Sequence, residues 1–199
     1  MYLTSKFVVL LMLPVLFLLG CSQPPMKSVP GTEVATESGR VVGVTGDEHV
    51  IHWQDIPFAL PPEGALRWRA PQPYRNASSE IQPRESTICV QQAGAISETD
   101  GDTFVGSEDC LYLDVVAPTS ASEQGLPVMF WIHGGGNTSG TKDTYDFSAF
   151  AHDQQVVVVT VNYRLGPFGW LTHPSIQDEA VGLDKSSNFG QLDIIAALE

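Results

Sequence analysis

The chain has 199 residues, of which 43% are hydrophobic and 17% charged, an ordinary globular composition with enough length to bury the core of one medium domain. Ten Lys and Arg against 23 Asp and Glu leave a net charge of −13, which argues against nucleic acid as a partner because nothing here could neutralise a phosphate backbone. The acidity otherwise reads as a solvated surface.

Lys6 is the only charged residue within positions 1–20, and Phe7 to Leu19 is almost wholly apolar, interrupted by Pro14. Such a run is short for a bilayer span and suits the apolar region of a secretory signal. It ends in Leu18-Leu19-Gly20-Cys21, which resembles the lipobox of bacterial lipoproteins. That resemblance implies a signal peptide over 1–20, lipidation of Cys21 as the mature N-terminus and, from Ser22, delivery to the outer membrane. The membrane would be met through several acyl chains on one residue, a firmer anchor than a single chain. The alternative is an ordinary signal peptide and a soluble periplasmic or secreted product. Residues 21–32, with three prolines and no apolar period, read as a flexible tether.

From Val34 to Ile56 the pattern is of short antiparallel strands, with turn signals at Ser38-Gly39 and Gly46-Asp47. Pro57 to Pro73 holds five prolines and excludes long regular structure, yet carries Arg67, Trp68 and Arg69. Leu111 to Ala117 reads as a strand stopped by Pro118, and Val128 to Ile132 as a buried strand that stops at His133. Phe147 to Gln154 reads as a short helix and Val156 to Asn162 as a fully buried strand of β-branched residues. From Asn188 a helix begins, with Phe189, Leu192, Ile195 and Ala196 on one face, and is expected to continue to Glu199. Strands of this kind need more partners than are present, so the elements read as the first part of a larger α/β sheet. Cys89 and Cys110 lie 21 residues apart around a polar, Gly-rich segment. In an exported protein they read as a disulfide worth roughly 3 kcal/mol in the chain-entropy model, the alternative being two free buried thiols. No Cys/His cluster has zinc-ligand spacing, and no metal or cofactor is expected.

Three glycines, Gly134 to Gly136, follow the strand that ends at His133. A strand running into a Gly-rich turn is how α/β-hydrolases build part of an oxyanion hole, which binds the negative oxygen formed when an acyl carbonyl is attacked. The partner of that motif, a Gly-x-Ser-x-Gly nucleophile elbow, does not occur in the 199 residues. Four further segments carry a wider resemblance: Ile56 to Trp68, Ser107 to Val115, Val157 to Leu171 and Asn188 to Asp193. Together with Pro127 to Gly136 they are similar, in order, to the N-terminal part of the type-B carboxylesterases, the group of cholinesterases and para-nitrobenzyl esterases. Departures are Asp55, where the family usually has Gly, and Gln191 and Ile194, where it usually has Leu and Gln. Family members are well over twice as long.

The resemblance implies an α/β-hydrolase fold over 33–199, incomplete at its C-terminal side, with small antiparallel strands leading into a central mixed sheet. It implies hydrolysis of small-molecule carboxylic esters by a Ser–His–acid triad through an acyl-enzyme, the triad lying outside this chain. Gly135 and Gly136 would be the oxyanion donors, through their backbone N–H groups. Arg67 would pair with Glu108 and Arg164 with Asp193, both pairs largely buried. His133 would be structural rather than the catalytic base. His49, His52, His152 and His173 match no catalytic motif. Trp68, Trp131 and Trp170 would be core, and Asn137 to Tyr145 would line the mouth of the site. The competing reading is a non-catalytic, cholinesterase-like binding or adhesion domain, since this fold alone does not fix function.

Overall fold

The computed structural model describes residues 26–45, 49–84, 87–93, 103–123, 125–178 and 180–199. The signal segment, Cys21 and Ser22, the Gly46-Asp47 turn and residues 94–102 of the loop between the cysteines lie outside the described residues.

A six-stranded mixed sheet forms the centre. Its members are β1 (Lys27–Ser28), β4 (Val44–Thr45), β5 (Val50–Pro57), β9 (Tyr112–Pro118), β11 (Val157–Val161) and β10 (Val128–Ile132), in that spatial order. Neighbours are antiparallel from β1 through β11. The β10–β11 pair is parallel, from Val128 opposite Val157 to Ile132 opposite Val161. A parallel pair needs a crossover. Here it is α1 (Ser148–Gln154), whose buried Ala151 packs with Val50, Val116 and Val158. Asp146 steadies the start of α1 by accepting from the Ser148 N–H at 2.9 Å and hydroxyl at 2.5 Å, and these bonds hold its carboxyl below the usual range.

Two smaller sheets flank the main one. In the first, β2 (Val34–Thr36) pairs antiparallel with β3 (Gly39–Val41), which pairs parallel with β6 (Glu80–Ile81). In the second, β7 (Gln91–Gln92) pairs antiparallel with β8 (Phe104–Val105). This ribbon adjoins the Cys89–Cys110 disulfide, whose Cα atoms are 5.1 Å apart. Both cysteines are buried with Ala59, Leu111, Tyr163 and Leu165 in one apolar cluster, against which Trp170 and Ile194 also pack. After β11 come α2 (Gly166–Trp170), α3 (Pro174–Gln177) and α4 (Phe189–Ala196). No helix among the described residues is long and apolar enough to cross a membrane.

Four sequence expectations need correction. Lys27 and Ser28, assigned to the tether, pair with β4 as an exposed edge strand. Prolines exclude interior strands but tolerate an edge. β10 is not buried: it is the outermost strand, with Val128 65% and Ile132 46% exposed. Nor is β11 buried at every position, since Val157 and Val159 are half-buried. Helix α4 stops at Ala196, and its buried residues are Phe189, Gly190 and Asp193 rather than an apolar stripe through Ile195. The polar Asp193 occupies the core side because it meets Arg164 there.

One departure from the family pattern explains itself locally. Asp55 sits where β5 slips register against β9, between Trp53 and Ile56, with φ +56. Glycine is the residue that adopts this conformation most cheaply, and Asp is among the few others that tolerate it. The carboxylate is also put to use. It accepts from the Arg84 N–H at 2.7 Å and faces the Lys142 ammonium at 3.0 Å.

Lys142 is 3% exposed, and its three ammonium protons match three carboxylates: Asp55 at 3.0 Å, Asp114 at 2.7 Å and Asp143 at 2.9 Å. Burial by itself would lower the Lys142 pKa, but the carboxylates outweigh it and hold the amine above the ordinary lysine range. Burial pushes Asp114 up to about 6 even though Lys142 pulls the other way. An open cleft of about 550 Å³ adjoins this cluster, lined among others by His52, Asp114, Lys142, Phe147 and Ser148. None of its described lining residues belongs to the glycine turn.

Candidate active site

β10 delivers the chain to His133, which is buried, and then to Gly134, Gly135 and Gly136, which are exposed. The His133 ring stacks on Tyr163 with centroids 4.3 Å apart and planes 15° from parallel. The Tyr163 hydroxyl donates to the His133 carbonyl at 2.8 Å. His133 Nδ1 lies 2.9 Å from the Gly134 carbonyl. A carbonyl only accepts, so Nδ1 carries the proton. Nε2 is buried and has no partner among the described residues. Burial holds the His133 pKa down, against the bond to Gly134. The unprotonated Nε2 is the ring's basic atom, and because it is buried away from any donor among the described residues the ring is a structural group rather than a base.

The Gly135 carbonyl is held still more heavily. It accepts from the Thr138 N–H at 3.1 Å, the Ser139 N–H at 3.2 Å and the Thr138 and Ser139 hydroxyls at 3.0 and 3.3 Å. All described peptide bonds are trans. In a trans peptide the C=O and the next N–H point in opposite directions. Fixing the Gly134 carbonyl on His133 therefore aims the Gly135 N–H away from that ring. Fixing the Gly135 carbonyl on Thr138 and Ser139 likewise aims the Gly136 N–H outward. Among the described residues neither N–H donates to a protein acceptor.

Glycine is favoured at both positions by conformation. Gly135 has φ +111 and Gly136 φ +61. A Cβ at Gly135 would also collide with the Ser139 carbonyl, whereas one at Gly136 would meet nothing within 4 Å. The turn is anchored beyond the glycines as well. The Asn137 carbonyl accepts from the Gly166 N–H at 2.7 Å, which joins the turn to the start of α2.

The structure brings the other singled-out residues together in pairs. Arg67 forks onto Glu108, with Nε 2.5 Å from Oε2 and Nη2 meeting Oε1. This pair is only partly buried, since the Arg67 side chain is 37% exposed. Arg164 and Asp193 are 3% and 0% exposed. The Arg164 Nε donates at 2.8 Å and its N–H at 3.0 Å to Oδ2, and Nη2 donates at 2.6 Å to Oδ1. Burial raises the Asp193 carboxyl while Arg164 works against that rise. The guanidinium also sits 5.3 Å from the Phe189 ring centroid. This ties the end of β11 to α4.

The remaining histidines sit elsewhere: His52 Nε2 is 3.1 Å from the Ser148 hydroxyl, His49 and His152 rings lie 4.6 Å apart, and His173 accepts from the Ser175 N–H at the start of α3. Trp131 is half-buried in edge-on contact with Tyr145 and Phe147. The Trp68 indole donates to the Pro167 carbonyl at 2.9 Å. Tyr145 is 63% exposed and lines the cleft beside Lys142.

The order of these motifs has a counterpart in known proteins. The sequence model of the Carboxylesterase family matches residues 30–199. The chain belongs to the carboxylesterase family. It is 42% identical over 190 residues to the fumonisin B1 esterase of Sphingopyxis macrogoltabida, covering 92% of this chain and 34% of that protein. It is 42% identical over 170 residues to the para-nitrobenzyl esterase of Bacillus subtilis (strain 168), covering 83% and 33%. The solved structure of a thermophilic para-nitrobenzyl esterase superposes with a TM-score of 0.72 at 38% identity, over 84% of this chain and 34% of that one. The mixed sheet is thus the N-terminal part of an α/β-hydrolase fold. The chain spans about a third of the length of the carboxylesterase relatives it matches.

Three groups that hold this carboxylesterase turn in shape are not assigned that role by the sequence, which places Thr138 and Ser139 only within the segment lining the mouth of the site. The Thr138 and Ser139 hydroxyls look like ordinary loop residues, and only their spacing of three and four from Gly135 hints at a closing turn. Gln91 is 3% exposed and holds Gly140 by both ends of its amide. Its only sequence signal is its place two residues after Cys89.

Proposed function

We propose that this chain supplies the oxyanion-binding side of a serine carboxylesterase. The observation that carries the reading is the outward aim of the Gly135 and Gly136 N–H groups, each fixed through the carbonyl of the preceding residue. Two rigid donors on an exposed turn suit the alkoxide that forms when a nucleophile adds to an ester carbonyl, because they need no reorganisation as the charge develops. The donors bind the carbonyl oxygen and stabilise the tetrahedral intermediate. The nucleophile is an activated serine outside these 199 residues, whose acyl-enzyme is then hydrolysed by water. No metal or organic cofactor takes part. The substrate is a small carboxylic ester, the class named in its esterase relatives.

The test compares two proteins on a p-nitrophenyl ester. The 199 residues expressed alone should give no turnover above buffer and no sharp melt. The polypeptide as its own gene encodes it, with any residues adjoining Glu199, should turn over and be silenced by an organophosphate. Turnover by the isolated 199 residues, or none by the gene-encoded polypeptide, refutes this reading.

The protein is further proposed to be exported with a signal over 1–20 and held at the outer membrane by acyl chains on Cys21. Incorporation of radiolabelled fatty acid should occur in the wild type and vanish in Cys21→Ala. Equal labelling of both, or of neither, rules the anchor out.

A further inference from the structure

We propose that Gln91 is a positioning residue for the oxyanion turn, clamping its far end to the disulfide-closed loop. The inference rests on the esterase reading above and assigns part of its machinery to a side chain remote from the glycines in sequence.

The turn from His133 to Gly140 is a loop, and loops keep their shape only where both ends are held. The near end is fixed by β10 and by the His133–Tyr163 stack. At the far end Gly140 itself is held by one neutral side chain, between the Asn137–Gly166 bond and the Lys142 N–H, which donates to Asn162 Oδ1 at 2.8 Å. The Gly140 N–H donates to Gln91 Oε1 at 2.8 Å, and Gln91 Nε2 donates back to the Gly140 carbonyl at 2.9 Å. The amide thus pairs with a single residue as a neighbouring strand would. Nε2 makes a further bond, at 3.0 Å, to the Cys89 carbonyl. Every hydrogen-bonding site engaged here is neutral, and Gln91 and Cys89 are buried while Gly140 is half-buried, so a broken bond leaves groups that water replaces poorly.

The position of Gly140 bears directly on the donors. Gly140 has φ +122 and packs so closely on the His133 ring that a Cβ would collide with it. The same ring holds the Gly134 carbonyl and thereby aims the Gly135 N–H. Next to Gly140 in the chain, Ser139 and Thr138 hold the Gly135 carbonyl and aim the Gly136 N–H. Releasing Gly140 therefore removes packing from the His133 ring and slackens the chain next to Ser139, so both supports loosen even though the His133–Tyr163 stack and the Asn137–Gly166 bond remain. The clamp is itself anchored: Gln91 begins β7, two residues from Cys89, which is bonded to Cys110. A covalent crosslink, an amide clamp and the catalytic turn form one continuous series of contacts.

A displacement of about 1 Å in a positioned group can cost on the order of a hundredfold in rate. In the gene-encoded polypeptide, Gln91→Met keeps the length and apolar volume of the side chain and removes all three bonds. It is expected to lower kcat per active site by about ten- to a hundredfold with KM within threefold of wild type. Active sites are counted by stoichiometric reaction with a chromogenic organophosphate, so a variant that merely folds less well loses sites but keeps kcat per site. Gln91→Glu keeps an acceptor for the Gly140 N–H but sets its second oxygen against the Gly140 and Cys89 carbonyls, so its kcat per site should fall at least as far. It also serves where Gln91→Met yields no folded protein. A wild type that hydrolyses the ester while both variants retain its kcat per titrated site overturns the role of Gln91 and leaves the esterase reading standing. A wild type with no turnover overturns the esterase reading and this inference with it.

Discussion

Lys142→Met is expected to cost about 3–5 kcal/mol of folding free energy at pH 8, and clearly less at pH 5. Among the described residues the side chain it removes is the sole cation paired with Asp55, Asp114 and Asp143, each within 3.0 Å of its ammonium. Asp55 and Asp114 are 8% and 17% exposed, so their charges cannot be handed back to water. Removing one partner of a buried ionic cluster is costly because the other charges stay behind. The pH dependence follows from Asp114, whose folded pKa of about 6 already lies above the ordinary 3.8. Losing the cation raises it further. A carboxyl with a raised folded pKa binds its proton more tightly folded than unfolded, so its contribution favours folding at low pH and is lost as pH rises through the folded value. The deficit of the variant therefore shrinks as pH falls from the variant's higher folded value towards about 6, and levels off below it. Urea unfolding of wild type and variant at the two pH values measures it. Equal stability at pH 8, or a deficit that does not change with pH, would show that the ammonium is not holding the carboxylates.

The second large effect is expected at Gly135. Gly135→Ala should lower kcat per titrated serine by about 10²–10³, the loss typical of one oxyanion donor. Its φ of +111 is strained for any residue with a Cβ, and that Cβ would strike the Ser139 carbonyl. Relief requires the turn to open, which releases the Gly135 carbonyl from Thr138 and Ser139 and swings the Gly136 N–H with it. Gly136→Ala is the informative comparison. Its φ of +61 costs an alanine about 1–2 kcal/mol, but nothing stands within 4 Å of the new methyl. The turn keeps its shape, so the second substitution should appear mainly in the melting temperature and the first mainly in kcat. If Gly135→Ala retains kcat within threefold of wild type, the two N–H groups are not the oxyanion donors.

Much of this fold is readable from local pattern. The β-branched run of β11 and the apolar run of β10 announce strands because each residue's preference agrees with its neighbours. The glycine turn is legible because its chemistry is contiguous: strand, His133 and three glycines follow one another. The Lys142 cluster is not, since its partners come from positions 55, 114 and 143, and a lone lysine in a Gly/Ser/Thr-rich loop looks solvated. In hindsight Lys142 is the only lysine between Lys27 and Lys185, and the unusual Asp55 was half of the signal. The Gln91 clamp spans 49 positions and leaves no periodic trace. Burial is not legible where it depends on neighbours rather than on composition: β10 has the sequence of an interior strand and the position of an edge.

That edge has a bearing on how the protein is made. Along the outer side of β10 the backbone amides and carbonyls stand unpaired among the described residues, beside the bare side chains of Val128 and Ile132. A parallel neighbour that follows β10 in the chain can reach it only by way of a crossover of a dozen or more residues, so it comes late in synthesis relative to β10. Ribosomes add roughly 5–20 residues per second. For that interval the nascent sheet is a template on which any extended chain can crystallise, including the β10 of the next copy on the same messenger. Pairing on this edge therefore competes with folding for as long as the strand stays uncovered.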